Sequence, residues 1–103
     1  IGVSSGFTVV FMIVSFKHKG LEQLYLTGSS RGVQAKHGPK LLRILDLLEV
    51  AAAPADLSIP EFRTHPLQGN RKSFYAIWVS GNWRVTFRFV GTNIELINYE
   101  DYH

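Results

Sequence analysis

The sequence predicts an α+β domain in which two N-terminal helices pack on a mainly antiparallel β-sheet. Three observations carry this expectation. Leucines recur every three or four residues after Pro39, the period of a helix with one covered face. Apolar and polar residues alternate along "WRVTFRFV" (83–90), the period of a strand covered on one side. The apolar runs beyond residue 62 are joined by short connectors rich in Gly, Asn and Ser, which suit hairpins rather than crossovers.

Taken in order, "IVSFKH" after Met12 is β-branched and aromatic and reads as a short strand. "KGLEQLYLTG" sets Leu21, Leu24 and Tyr25 at helical spacing and stops at Gly28. "SSRGVQAKHG" is a polar loop, in which Arg31, Lys36 and His37 are expected to face solvent. In "PKLLRILDLLEVAAA", Pro39 suits a first helical turn, and Leu41, Leu42, Leu45, Leu48 and Ala52 form the apolar stripe opposite Lys40, Arg43, Asp46 and Glu49. Pro54 bounds that helix, and "ADLSIPEF" reads as a linker. "FRTHPL", "FYAIWV", "WRVTFRFV" and "IELINY" then read as strands separated by "QGNRKS", "SGN" and "GTN". Trp83, Val85, Phe87 and Phe89 share the core face of one strand, and Arg84, Thr86 and Arg88 share the other face.

Composition narrows the class. With 103 residues, 46% hydrophobic and 18% charged, the chain is sized and composed as one globular domain. It contains no cysteine, so disulfide frameworks and thiolate metal sites are excluded, in keeping with a reducing cytoplasm. The run "FTVVFMIV" falls far short of the roughly 20 residues that cross a bilayer, and no membrane association is expected. The formal charge is +3, and its placement says more than its size. Residues 62–90 carry Arg63, His65, Arg71, Lys72, Arg84 and Arg88 with no carboxylate, a balance that suits a polyanion.

The stretches "SFKHKGL" (15–21), "HPLQGNRKSFYAIWVSGNWRVTFRF" (65–89) and the final "NYEDYH" (98–103) resemble the HigB branch of the RelE/ParE toxin superfamily. The resemblance covers nearly everything from Met12 onward, and "NWRVTF" joined to "DYH" is its most specific part. Family chains begin M-I-x-S-F, which implies one toxin domain at 12–103, with 1–11 a non-native or upstream extension. The resemblance implies a ribosome-dependent mRNA endonuclease of a type II toxin–antitoxin system, cytoplasmic and free of metal or other cofactor. Its implied partners are a HigA-type helix-turn-helix antitoxin, the decoding site of the ribosome with its mRNA, and operator DNA through the antitoxin complex alone.

The residues themselves suit such chemistry. Metal-free RNA cleavage needs a base for the ribose 2′-OH, an acid for the leaving oxygen, and cations for the charge that builds on phosphate. His103 is of the side-chain type that titrates nearest neutrality. Asp101 either orients His103 or takes the proton itself, and Tyr102 offers a stacking face for a splayed base or a hydroxyl for phosphate. Arg84 is either a bidentate phosphate clamp or a cross-strand partner of Glu95 or Glu100. Arg71 and Lys72 sit in a turn where they can meet RNA, and His65 is either a second acid–base group or a packed, hydrogen-bonded residue. The sharing of acid and base roles among His65, Asp101 and His103 stays open. Gln68 departs from the family, where many members have Lys in "HPLKG"; the neutral amide removes a charge from the phosphate contact set. The four His are too scattered to form a metal site.

Two rival functions share these residues. ParE-type relatives poison DNA gyrase by binding, but they lack a terminal cluster such as "DYH". An inactive toxin kept as a co-repressor is the other rival, and Gln68 is the feature that leans towards it.

Overall fold

The computed structural model describes residues 13–102. Helix α1 spans Lys19–Thr27 and helix α2 spans Gly38–Val50. The His18 ring nitrogen Nδ1 accepts from the Leu21 amide at 3.0 Å, which caps α1. Gly28 closes it in the left-handed region at φ 79°, its N–H bonded to the Leu24 carbonyl. Pro39 sits in the first turn of α2 as anticipated. Both helices precede the sheet, but they lie mid-chain at 19–50 rather than at the N-terminus, because residues 13–17 run along the sheet first.

The sheet is an antiparallel meander in the order β1 (His65–Pro66), β2 (Phe74–Ser80), β3 (Trp83–Val90) and β4 (Asn93–Asp101). The expected strand at 62–67 shrinks to the two residues of β1, because Pro60–Phe62 coils into a 3-10 turn and Arg63 takes φ 48°. The expected linker likewise coils, with a second 3-10 turn at Pro54–Leu57. The expected first strand at 13–18 is reduced to two parallel bridges beside β4, Ile13 to Ile94 and Phe16 to Ile97. Its pairing is interrupted where β4 bulges: Leu96 adopts φ 56°, and the register moves from Thr86 opposite Asn98 to Arg88 opposite Glu95. The Ser15 hydroxyl oxygen accepts from the Leu96 amide at 3.0 Å, pinning the bulge.

One core joins helices to sheet. Leu21, Leu24, Leu41, Ile44, Leu45 and Leu48 are buried against Ile77, Val85, Phe87, Ile94 and Ile97. The buried face of α2 is therefore Leu41, Ile44, Leu45, Leu48 and the capping Ala51; Leu42 and Ala52, expected in the stripe, are exposed. The 3.6-residue turn puts Leu42 about 100° away from Leu41 and off the stripe, and Ala52 lies beyond the helix end at Val50. Gly20 of α1 packs directly on Gly32, where a Cβ on Gly20 would lie 2.3 Å from the Gly32 carbonyl oxygen. The helices cover only one face of the sheet; the other, open face bears Phe74, Trp78, Arg84, Arg88, Asn98 and Glu100, all half-buried, around a buried Thr86.

Candidate functional site

The turn from β2 to β3 and the end of β4 lie side by side. Trp83 opposes Asp101 and Arg84 opposes Glu100, and the Tyr102 amide donates to the Asn82 carbonyl at 2.8 Å, so extended pairing continues past the strand end. Alternation then separates the tail: exposed Asp101 shares the side of Trp83, while Tyr102 shares the side of Arg84. The Arg84 guanidinium lies 5.4 Å from the Tyr102 ring centre, within cation–π range. Its Nη1 donates to the carbonyls of Gly81 at 2.9 Å and Trp83 at 3.0 Å. Although Glu100 is its cross-strand neighbour, Arg84 pairs with no carboxylate among the described residues. His103 lies outside the described residues.

Farther along the open face, the Leu96 bulge opens a concavity of about 260 Å³ lined by Lys17, Arg71, Phe74, Thr86, Asn98 and Glu100. Arg71 reaches in from the connector and holds Glu100 with two parallel hydrogen bonds of 3.0 and 2.7 Å. The Thr86 hydroxyl donates to the same carboxylate. Burial pushes the Glu100 carboxyl up, but the Arg71 and Thr86 bonds outweigh it and leave it below its ordinary value. Glu100 is therefore a carboxylate at neutral pH. Arg88 is also ion-paired, its Nε and Nη2 both meeting the single oxygen Oε1 of Glu95, at 2.6 and 2.5 Å.

The remaining sequence candidates border this face. His65 pairs with Ala76 across β1 and β2 and is exposed. Its Nδ1 lies 2.8 Å from the Arg63 carbonyl; a carbonyl only accepts, so that nitrogen carries a proton, and in the neutral ring Nε2 is the acceptor. Gln68 precedes the 3-10 turn Gly69–Arg71, and Lys72 follows it; both side chains are exposed. His65 is two strand positions from β3, roughly 10 Å at ~4.8 Å per strand. The structure thus gathers Arg84, Tyr102 and Asp101 at one end, commits Arg71 to Glu100, and leaves His65, Gln68 and Lys72 along the β1 side.

His37, expected in a solvated loop, is buried at 4% exposure. Its Nδ1 is 2.6 Å from the Tyr99 hydroxyl, and its ring meets Trp83 and Tyr99 edge-on. Burial lowers its pKa, with Lys36 and Lys40 acting in the same direction. Sequence reading also missed Lys17 and Asn98 in the concavity and the stacking of Lys40 and Arg63 on Trp78, at 4.1 and 4.3 Å. No spacing announces the Lys40–Trp78 pair, because the two residues lie on different elements. Among the described residues, no three His, Asp or Glu converge as metal ligands, and no helix is long and apolar enough to cross a membrane.

Comparison with known proteins bears on the whole domain. The family model described as the RelE-like toxin of type II toxin–antitoxin system HigB matches residues 14–103. A Proteus vulgaris protein named Endoribonuclease HigB is 39% identical over 92 residues, which span 89% of this chain and 100% of the relative. Toxin HigB-1 of Vibrio cholerae serotype O1 is 35% identical over 94 residues, covering 89% of this chain and 98% of the relative.

Proposed function

We propose that this chain, which belongs to the HigB-like family of RelE-like toxins of type II toxin–antitoxin systems, is an endoribonuclease that cuts mRNA on the ribosome. Membership in such a system brings with it an antitoxin partner. We take that partner to be a helix-turn-helix protein of the HigA type, through which the pair reaches operator DNA, and the site of action to be the cytoplasm. The toxin domain is residues 12–103, with 1–11 outside it. The Proteus vulgaris relative is named for RNA cleavage, which favours this reading over gyrase poisoning.

The observation that carries the proposal is the pairing of Arg84 with Tyr102 beside Asp101, at the strand end that leads into His103. A phosphate approaching the open face meets the Arg84 guanidinium, whose position is set by two backbone carbonyls and by the ring beneath it. Tyr102 offers its other ring face to a splayed base. In the proposed reaction the ribose 2′-oxygen attacks the adjacent phosphorus while a base removes its proton. The bond to the 5′-oxygen breaks as an acid protonates that oxygen, leaving a 2′,3′-cyclic phosphate and a 5′-hydroxyl. Arg84 stabilises the charge that builds on the nonbridging oxygens. His103, Asp101 and His65 supply the proton-transfer groups; with Nδ1 donating to the Arg63 carbonyl, Nε2 of the neutral His65 ring is the nitrogen suited to the base role. Arg71, Lys72 and Gln68 flank the path of the strand. No step of this scheme calls on a metal.

The test compares mRNA cleavage on programmed ribosomes by the chain starting at Met12 and by the same chain lacking His103. Cuts that require ribosomes and disappear with His103 are the expected result. If the intact protein arrests growth while leaving mRNA whole, the nuclease reading fails and gyrase binding is the next assay.

A further inference from the structure

Five cations on or beside the open face fall into two groups. Arg71 and Arg88 are neutralised in place by Glu100 and Glu95. Arg84, Arg63 and Lys40 form no ion pair with a carboxylate among the described residues; each lies against an aromatic ring, and Lys40 also donates to the Val79 carbonyl at 2.9 Å. Arg84 lies over Tyr102. One register position across the sheet, Trp78 carries Arg63 at 4.3 Å and Lys40 at 4.1 Å. The two halves meet at one atom: the Trp78 indole N–H and Arg84 Nη1 both donate to the Gly81 carbonyl, at 3.0 and 2.9 Å.

Local structure holds Arg63 on this line. It sits at φ 48° after the 3-10 turn Pro60–Phe62, a conformation that a non-glycine residue adopts only when its surroundings impose it. Its carbonyl accepts from His65 Nδ1. Glu61, the acid nearest in sequence, is engaged by Arg43 at 2.7 Å, so it does not neutralise Arg63. A guanidinium held over an indole by its cation–π contact still has N–H donors to offer a phosphate.

We infer that Tyr102, Arg84, Trp78, Arg63 and Lys40 form a continuous track for single-stranded RNA, in which Arg63 and Lys40 grip a backbone phosphate of the message one step removed from the phosphate that Arg84 holds. Alternating unpaired cations and rings is the pattern by which proteins hold single strands without reading sequence. The ion-paired concavity around Arg71 and Glu100 lies beside this track rather than on it. This deepens the nuclease reading and rests on it for the identity of the strand.

The probe is a short single-stranded RNA with 2′-O-methyl groups, which cannot be cut, and its affinity is measured by fluorescence anisotropy across a salt series. Arg63→Gln is expected to weaken binding several-fold and to lower the slope of log K against log salt by about one. Arg63→Lys should keep the slope, and Arg31→Gln, an equal charge change on the exposed loop after α1, should leave affinity and slope near wild type. If Arg63→Gln cannot be told from Arg31→Gln, the track is wrong. If oligonucleotide binding is unchanged but cleavage on ribosomes drops, Arg63 docks on ribosomal RNA, and the assignment to the message is overturned. If the wild type leaves mRNA whole on ribosomes yet its RNA affinity still depends on Arg63, the track stands and the nuclease reading alone falls.

Discussion

Arg71 and Glu100, 29 residues apart in the chain, face each other through two parallel hydrogen bonds, with the Thr86 hydroxyl on the same carboxylate. The connector cation that the sequence offers to RNA is thus also a brace between that connector and the last strand. Glu100→Ala strips both donors of their acceptor and is expected to lower stability by about 1–3 kcal/mol, measured by urea unfolding. The folded pKa of Glu100 lies below its ordinary value, so its contribution is present above about 4.5 and is lost as pH falls through the lower folded value. The variant should lack that part of the acid loss.

Tyr102 supports Arg84 with its ring rather than its hydroxyl. Tyr102→Phe should therefore keep cleavage within about threefold of wild type. Tyr102→Ala removes both the cation–π contact and a base platform worth ~1–3 kcal/mol, so cleavage should fall about tenfold or more. Single-turnover rates on ribosome-bound mRNA separate the two variants, and a Phe variant as poor as Ala would assign the role to the hydroxyl.

His37 and His18 both have pKa values lowered by burial, and His18 Nδ1 accepts from the Leu21 amide. A depressed histidine pKa means that the unfolded chain binds the proton first. Stability is then highest above the ordinary value of 6.5 and falls as pH drops through it, by up to about 1.4 kcal/mol per pH unit for each group. His37→Gln should flatten the slope of unfolding free energy between pH 7 and 5.5. An unchanged slope would remove His37 as a cause.

Gly20→Ala places a methyl group 2.3 Å from the Gly32 carbonyl oxygen, a backbone atom that cannot swing aside. We expect a loss of at least about 1–3 kcal/mol, seen as a lower Tm, because α1 must shift to relieve the clash. Gly28 has open space around it but φ 79°, so Gly28→Ala should cost less, through backbone strain alone.

Gln68 lies exposed at the start of the turn that carries Arg71 and Lys72. Gln68→Lys adds a cation at the position where the family resemblance implies one. A surface charge near phosphate is worth ~1 kcal/mol, so cleavage should rise by about fivefold at low salt, with the gain shrinking as salt increases. No gain at any salt concentration would place Gln68 off the RNA path.

The outward placement of Arg84 and the inward placement of Trp83 and Val85 were legible from alternation alone, because a strand with one covered face has a period of two. The two helices, the meander and the glycine at the end of α1 were legible for similar reasons. So was the family, since "NWRVTF" and "DYH" are short local signatures.

The partners of the charges were not legible, because they depend on register and on contacts between distant elements. The Leu96 bulge shows why: without it, Arg88 would oppose Leu96, whereas the one-residue shift brings Glu95 opposite Arg88. Only the folded chain could bring Glu100 to Arg71, bury His37 against Tyr99, or stack Lys40 and Arg63 on Trp78. By itself the sequence determined which faces are apolar and which residue types are on hand for RNA chemistry, since periodicity and motif are properties of neighbours along the chain. The tertiary structure alone decided which cations are neutralised and which remain to meet phosphate, because charge pairing is set by distance in space.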